Sequence, residues 1–431
     1  MLLDFSVGNF RSFKEIATFS MGASSAAEHS DTHIIKKINY PKSLRSAAIY
    51  GANASGKSNF MRAVSFMRSF VINSAKETQI FEKIGVESHR LSIETTGKSS
   101  FFQVNFICGN TLYRYGFEVD AEAVREEWLF SKTLKSRGPD STLFTREGQK
   151  VVLGAKFKEG EGIETKVRPN ALFLSTVAQF NGEISGEVLR WFSNCNIIGG
   201  TEDRDYLDYT AQEYLNDTNF KETFLKLLKV ADLGIDDVRV EERKFAADNL
   251  PDEFPQELAK ELLGKKFFGV KTSHKIYDKN GATQGTVYFD LLGNESAGTQ
   301  KMFSFGGPVI DTLREGKVLF IDEFDAKLHP TLAEAIIEIF NSPEANPKGA
   351  QLIFATHTTH FLNKNMLRRD QIWFANKSRQ GATSLYSLIE HRDDANLKIR
   401  PDASFEKNYY EGRYRATPNV GNLAAIFEED K

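Results

Sequence analysis

Gly51-Ala52-Asn53-Ala54-Ser55-Gly56-Lys57-Ser58 has the pattern G-x-x-x-x-G-K-S, which is built to hold phosphate. The glycines let backbone N–H groups converge on one anion. A helix opening at Lys57 adds the positive end of its dipole. In this pattern the lysine reaches β- and γ-phosphates and the serine hydroxyl ligates Mg²⁺. The expected nucleotide contacts are therefore Gly51, Asn53, Ala54, Ser55, Gly56, Lys57, Ser58 and the following Asn59. The flanks agree. Residues 46–50 are a short apolar strand, and from 57 to 74 Phe60, Val64, Met67 and Val71 recur at helical spacing.

A second constellation is Val318-Leu-Phe-Ile-Asp322-Glu323, an apolar strand that ends in two carboxylates. Asp322 is placed to hold Mg²⁺ and Glu323 to deprotonate the attacking water. With Glu295-Ser296-Ala297-Gly298-Thr299-Gln300 and Phe354-Ala355-Thr356-His357, the order of motifs resembles the ATP-binding-cassette (ABC) class of ATPases. The resemblance implies that Ser296, Gly298 and Gln300 belong to a signature segment serving the γ-phosphate held by another subunit. Ala297 stands where transporters usually carry glycine. His357 matches the switch histidine, whose neutral imidazole hydrogen-bonds the γ-phosphate. Asp325 matches the loop that runs along a dimer seam. His329 reads as structural, with Pro330 opening the next helix. Asn9-Phe10-Arg11-Ser12-Phe13 resembles the RecF, SMC and OLD branch, which makes Arg11 a candidate nucleotide contact. That class also has a metal-linked glutamine, for which Gln103 and Gln179 both remain candidates.

These residues need a scaffold. Alternation at Leu3, Phe5 and Val7 predicts a strand, and Phe10 with Phe13 a second short one. Strands are expected at 101–107, 112–119, 127–134 and 151–157. Helices are expected at 220–230 and 255–263, then strands at 271–275 and 286–292. The runs 318–321 and 351–355 read as buried parallel strands around a helix at 331–340. The expected fold is an α/β ABC-ATPase head, a split P-loop domain with an antiparallel β layer, plus a helix-rich insertion. Residues 1–85 and 286–431 form the core, 86–182 the antiparallel lobe and 183–285 the insertion, which offers a partner surface.

Composition narrows the function. The 431 residues carry 55 Lys+Arg against 58 Asp+Glu, a net charge of −3 that argues against a nucleic-acid-coating protein. The basic pairs Lys36-Lys37, Lys265-Lys266 and Arg368-Arg369 are short and mixed with acids. Cys108 and Cys195 lie in no zinc or disulfide pattern, which points to a reducing cytoplasm. The opening MLLDFSVGNFRSF reads as neither signal peptide nor anchor, and no apolar run approaches the roughly 20 residues of a membrane span.

Taken whole, the chain resembles AAA-annotated ABC-type ATPases of bacterial phage defence, similar to AbiL, RloA and the AriA protein of PARIS. The supporting stretches include FIDEFDAKLHP and Tyr409-Tyr410-Glu411-Gly412-Arg413-Tyr414. The resemblance implies an ATP- and Mg²⁺-dependent ATPase that dimerises around nucleotide. It would control a partner effector, a nuclease or toxin encoded in the same operon, in response to a phage trigger. The alternative is a RecF-like ATPase that binds DNA in repair. A self-contained nuclease is disfavoured, because only 74 residues follow His357.

Overall fold

The computed structural model describes residues 1–37, 40–77, 79–136, 138–199, 204–244, 264, 266–392 and 396–418. The strands in chain order are β1 (Leu2–Gly8), β2 (Ala17–Ser20), β3 (Ile34–Ile35), β4 (Ser43–Leu44), β5 (Ser46–Tyr50), β6 (Ser100–Cys108), β7 (Thr111–Val119), β8 (Val124–Thr133), β9 (Ser141–Glu147), β10 (Lys150–Leu153), β11 (Cys195–Gly199), β12 (Asp237–Lys244), β13 (Lys266–Tyr277), β14 (Thr283–Asp290), β15 (Val318–Asp322), β16 (Gln351–Ala355), β17 (Ile372–Lys377) and β18 (Thr383–Ser387). The helices are α1 (Lys57–Asn73), α2 (Phe173–Gln179), α3 (Glu183–Ser193), α4 (Arg204–Asn216), α5 (Thr218–Val230), α6 (Leu291–Asn294), α7 (Ala297–Glu315), α8 (Pro330–Asn341) and α9 (Phe405–Tyr410).

These elements form two units. The first comprises Met1–Ile198, Gly316–Phe324 and the chain from Ile336 onward. It holds a seven-stranded antiparallel sheet of order β10-β9-β8-β7-β6-β1-β2 and a six-stranded sheet of order β11-β15-β16-β5-β17-β18. In the latter, β15, β16, β5 and β17 run parallel and β18 antiparallel to β17. This is the α/β head with an antiparallel layer that the sequence predicts. Helix α1 contributes Phe60, Val64, Met67 and Val71 to one core with Phe5 and Phe102 of the first sheet and Phe320, Ile353 and Trp373 of the second. Phe60 meets Phe5 edge-on at 5.7 Å. Each such buried ring stabilises the fold by about 1.5–3 kcal/mol.

The second unit, Gly199–Glu315 with Asp325–Ala335, is built on α4, α5, α7 and a three-stranded antiparallel sheet, β12-β13-β14. Its core gathers Leu207, Tyr214, Phe220, Phe224, Phe303 and Ile310.

Two expectations change. Residues 10–13 are not a strand. Phe10 and Phe13 exchange backbone bonds of 2.9 and 2.8 Å in a tight turn, with Asn9 and Arg11 at φ 45° and 49°. The strand expected at 151–157 ends at Leu153, because Phe157 N–H closes a turn onto Gly154 O at 2.9 Å. The helix expected at 255–263 lies outside the described residues. Among the described residues, no helix is long and apolar enough to cross a membrane.

Candidate nucleotide site

In the first unit, parallel pairing decides where the motifs fall. Ile321 lies opposite Phe354, Ala355 opposite Ile49, and Ile49 opposite Trp373. The carboxyl ends of β15, β16 and β5 therefore share one edge, where open α/β sheets bind ligands. From that edge β5 leads into residues 51–56, β15 into Glu323, and β16 into Thr356 and His357. Short bonds lock the exits together. Phe324 N–H donates to Ala355 O at 3.0 Å and Thr356 N–H to Ile49 O at 3.2 Å.

The loop itself fits a phosphate. Helix α1 starts from Gly56 with no capping side chain and no acidic residue in its first turn, which leaves its first N–H groups for an anion. Gly56 has φ +114°, and a Cβ there would collide with Thr383. A Cβ at Gly51 would strike Ala375 O and Ser55 Oγ. Lys57 is buried, with Nζ donating to Gly51 O at 2.8 Å and Ala52 O at 3.2 Å. Ser55 Oγ is buried without a hydrogen-bond partner, while Asn53 and Ala54 are exposed and Ser58 and Asn59 half-buried. Converging donors, glycines that admit no Cβ and an unsatisfied hydroxyl suit a nucleotide phosphate chain. With Ser58 and Asp322 as oxygen donors they also suit the Mg²⁺ it carries, which binds through one or two protein oxygens plus phosphate.

The two acids differ. Asp322 is half-buried, and its Oδ1 accepts the Glu323 N–H at 3.1 Å. Glu323 is exposed and held at φ +49°, a left-handed conformation costing a non-glycine residue on the order of 1–3 kcal/mol. His357 is exposed beyond β16.

Arg11 forms an ion pair with Glu87 at the surface. Its neighbour Ser12 makes the link to the loop. Asn59 Nδ2 donates to Ser12 Oγ at 2.8 Å. Thr383 Oγ1 lies 2.8 Å from both Ser12 Oγ and Ser55 O. A hydroxyl has one proton and a carbonyl can only accept, so Thr383 donates to Ser55 O and Ser12 donates to Thr383. Sequence reasoning missed both Ser12 and Thr383. Ser12 carried a signal, its place within Asn9-Phe10-Arg11-Ser12-Phe13, whereas Thr383 carried none. Of the two glutamines, Gln103 lies on β6 and its Oε1 accepts the Trp128 indole N–H at 3.2 Å, while Gln179 ends α2.

Ser296, Gly298, Gln300 and Asp325 belong to the second unit. Ser296 Oγ caps α7 by accepting the Thr299 N–H at 3.1 Å. Gln300 Nε2 folds back to Glu295 O at 2.9 Å. Gly298 allows Lys327 O to approach, since a Cβ would sit 3.2 Å from it. Asp325 O accepts the Leu328 N–H at 3.2 Å. His329 Nδ1 accepts the Thr331 N–H at 3.3 Å, a structural role at the start of α8.

The phosphate loop also borders a cleft of about 620 Å³, shared with residues 375–377, Gly412 and residues 415–418. The tyrosines near this segment stand out in the sequence, which suggests no role for them.

Residues 46–363 match the AAA_21 family, described as "AAA domain, putative AbiEii toxin, Type IV TA system". No curated protein matches the chain by sequence. Among solved structures, the SMC head domain from Thermotoga maritima is 12% identical, with 90% of this chain and 98% of that chain covered at a TM-score of 0.37. The recombination mediator protein RecF with ATP is 13% identical, covering 82% and 93% at 0.30. cbiO1 from Clostridium perfringens, part of the ABC transporter complex cbiONQ, is 11% identical, covering 89% and 87% at 0.30. The matched span takes in well over half of the sequence, and the chain belongs to the AAA_21 family of AAA-domain ATPases.

Proposed function

We propose that this protein binds and hydrolyses ATP as an ABC-type ATPase. In our reading it is the sensor or scaffold subunit of an anti-phage defence system, and it controls a partner effector by closing a nucleotide sandwich between two copies. The observation that carries the ATPase reading is the shared edge of β5, β15 and β16, which gathers the phosphate loop, Asp322, Glu323 and His357. The loop N–H groups and Lys57 hold the phosphate chain. Glu323 takes a proton from the attacking water, and His357 donates its imidazole N–H to an oxygen of the terminal phosphate. Ser58 and Asp322 would hold a magnesium ion, which would neutralise charge at the phosphates. Ser296, Gly298, Gln300 and Asp325 serve the nucleotide of the other copy, with Ser296 at the start of a 19-residue helix whose N-terminus favours an anion.

The defence role draws support from the description of the family, which mentions an AbiEii toxin and a Type IV TA system. Direct DNA binding loses support at one basic pair. Arg368 is fully buried against Asp370 at 2.8 Å, and Arg369 pairs with Glu28 at 2.6 Å.

The test is co-expression with the genomic neighbour, purification through a tag on this chain, and mass photometry with and without ATP, in wild type and Glu323→Gln. A stoichiometric complex that changes with nucleotide supports the reading, since control needs different partner affinities in the two states. A lone dimer that binds duplex DNA in an ATP-dependent, salt-sensitive way overturns it in favour of a repair ATPase.

A further inference from the structure

The segment after α9 is anchored to the strands that carry the phosphate loop. Tyr409 stacks on Phe374 at 6.0 Å and meets Tyr50 at 6.1 Å. Tyr414 is fully buried with its ring 5.0 Å from Phe374. Tyr50 directly precedes Gly51, and Phe374 directly precedes Ala375, whose carbonyl abuts Gly51. Further bonds fix the turn between the tyrosines. Tyr386 Oη donates to Tyr414 O, and His391 Nε2 donates to Arg413 O at 3.0 Å. Gly412 N–H donates to Tyr409 O and Arg415 N–H to Gly412 O, both at 2.9 Å.

Past this anchor the chain turns at Arg415, which is exposed and left-handed at φ +56°. It lines the cleft of about 620 Å³ together with residues 52–55 of the phosphate loop. Lys377, at the end of β17, lines the same cleft. A cleft lined by phosphate-loop residues and by two cationic residues is suited to an anion. The planar guanidinium can bind phosphate through two parallel hydrogen bonds.

We propose that residues 412–418 are a built part of the nucleotide site, with Arg415 donating to the phosphates of a nucleotide seated on residues 51–58. This rests on the reading that the loop binds a nucleoside triphosphate. The tyrosines are then positioning residues. They fix the backbone at Arg415, so little backbone entropy is lost when the nucleotide arrives.

The experiment is equilibrium dialysis of the full chain against ATP with magnesium, comparing wild type, Lys57→Ala, Arg415→Ala and Arg415→Lys. Arg415→Ala should weaken ATP binding by about ten- to a hundredfold, the range for losing a hydrogen bond to a charged group. Arg415→Lys should recover only part of it, because an ammonium lacks the fork. A second measurement uses unmutated protein. Phenylglyoxal should modify Arg415 in the free chain, and ATP, but not adenosine, should protect it. Unchanged affinity in Arg415→Ala, with binding lost in Lys57→Ala, overturns the proposal and leaves the ATPase reading intact. Absence of ATP protection at Arg415 also overturns it. Failure of wild type to bind ATP removes both.

Discussion

Replacing Thr383 by valine keeps the shape that faces Gly56 and removes one hydroxyl. That hydroxyl is the middle of a relay from Asn59 through Ser12 and Thr383 to Ser55 O, with every step 2.8 Å. Ser12 and Thr383 are each 5% exposed and Ser55 3% exposed, so water cannot replace the lost partner. The substitution leaves a buried carbonyl without its donor and a buried serine without its acceptor, at a cost of about 1–3 kcal/mol. The penalty falls on the phosphate loop, so the readout should be local. At 1.4 kcal/mol per tenfold, hydrogen exchange in peptides spanning residues 51–60 should accelerate by roughly 5- to 100-fold. Exchange in the second unit should stay unchanged, and ATP affinity should fall with the loop's order. Thr383→Ser keeps the hydroxyl and should exchange within about threefold of wild type. Equal acceleration in the serine and valine variants, or none in either, would refute the relay.

Lys57→Ala should weaken ATP binding by at least about a hundredfold, because it removes the only buried cation in the loop; unchanged affinity in a binding titration would exclude the phosphate role. Ser296→Arg should leave ATP binding by the monomer intact yet abolish the ATP-dependent dimer of a Glu323→Gln background. Size-exclusion chromatography checks this, and persistence of the dimer would sink the sandwich. The structure also sets a pH dependence. Burial pushes the His33 imidazole from 6.5 down to about 4, with Nδ1 2.7 Å from Gln371 Oε1. The unfolded chain takes up the proton first, so the His33 contribution is complete above about pH 6.5 and declines as pH falls toward 4, by about 3 kcal/mol in all. Urea midpoints at pH 7.5 and 4.5 should diverge less in His33→Asn than in wild type, and equal divergence would remove His33 as the source.

The legible parts of this chain are local or uniformly apolar. The strand, glycine loop and helix of residues 46–73 form one contiguous run, and β15 and β16 are continuous apolar strands that read as buried. What escaped depends on distant partners. Residues 10–13 have two phenylalanines spaced like a strand, but the left-handed backbone at Asn9 and Arg11 folds them into a turn. β12 lies at the edge of a three-stranded sheet with most of its residues exposed and is charged along most of its length, so its alternation is confined to Val238 and Val240. Thr383 matters only because β18 lies beside β17, which in turn flanks β5. A threonine 327 positions after Gly56 announces none of that. The Arg415 segment is hidden in the same way, since its tyrosines acquire meaning only against Tyr50 and Phe374.

The placement of β5 also governs the order of events during synthesis. All five of its residues are buried, and its neighbours are β16 and β17, more than 300 residues further along the chain. The Gln351 side chain likewise receives Leu2 N–H at 2.6 Å and donates to Leu2 O at 3.1 Å, tying the second residue to the start of β16. At about 5–20 residues per second, a ribosome needs on the order of 15–60 s to deliver those partners after β5 has emerged. Throughout that interval an apolar strand waits with unpaired edges, the form most prone to aggregate. Yield of the native protein should therefore depend on translation speed and on chaperones that shield residues 46–50, independently of the stability of the finished fold.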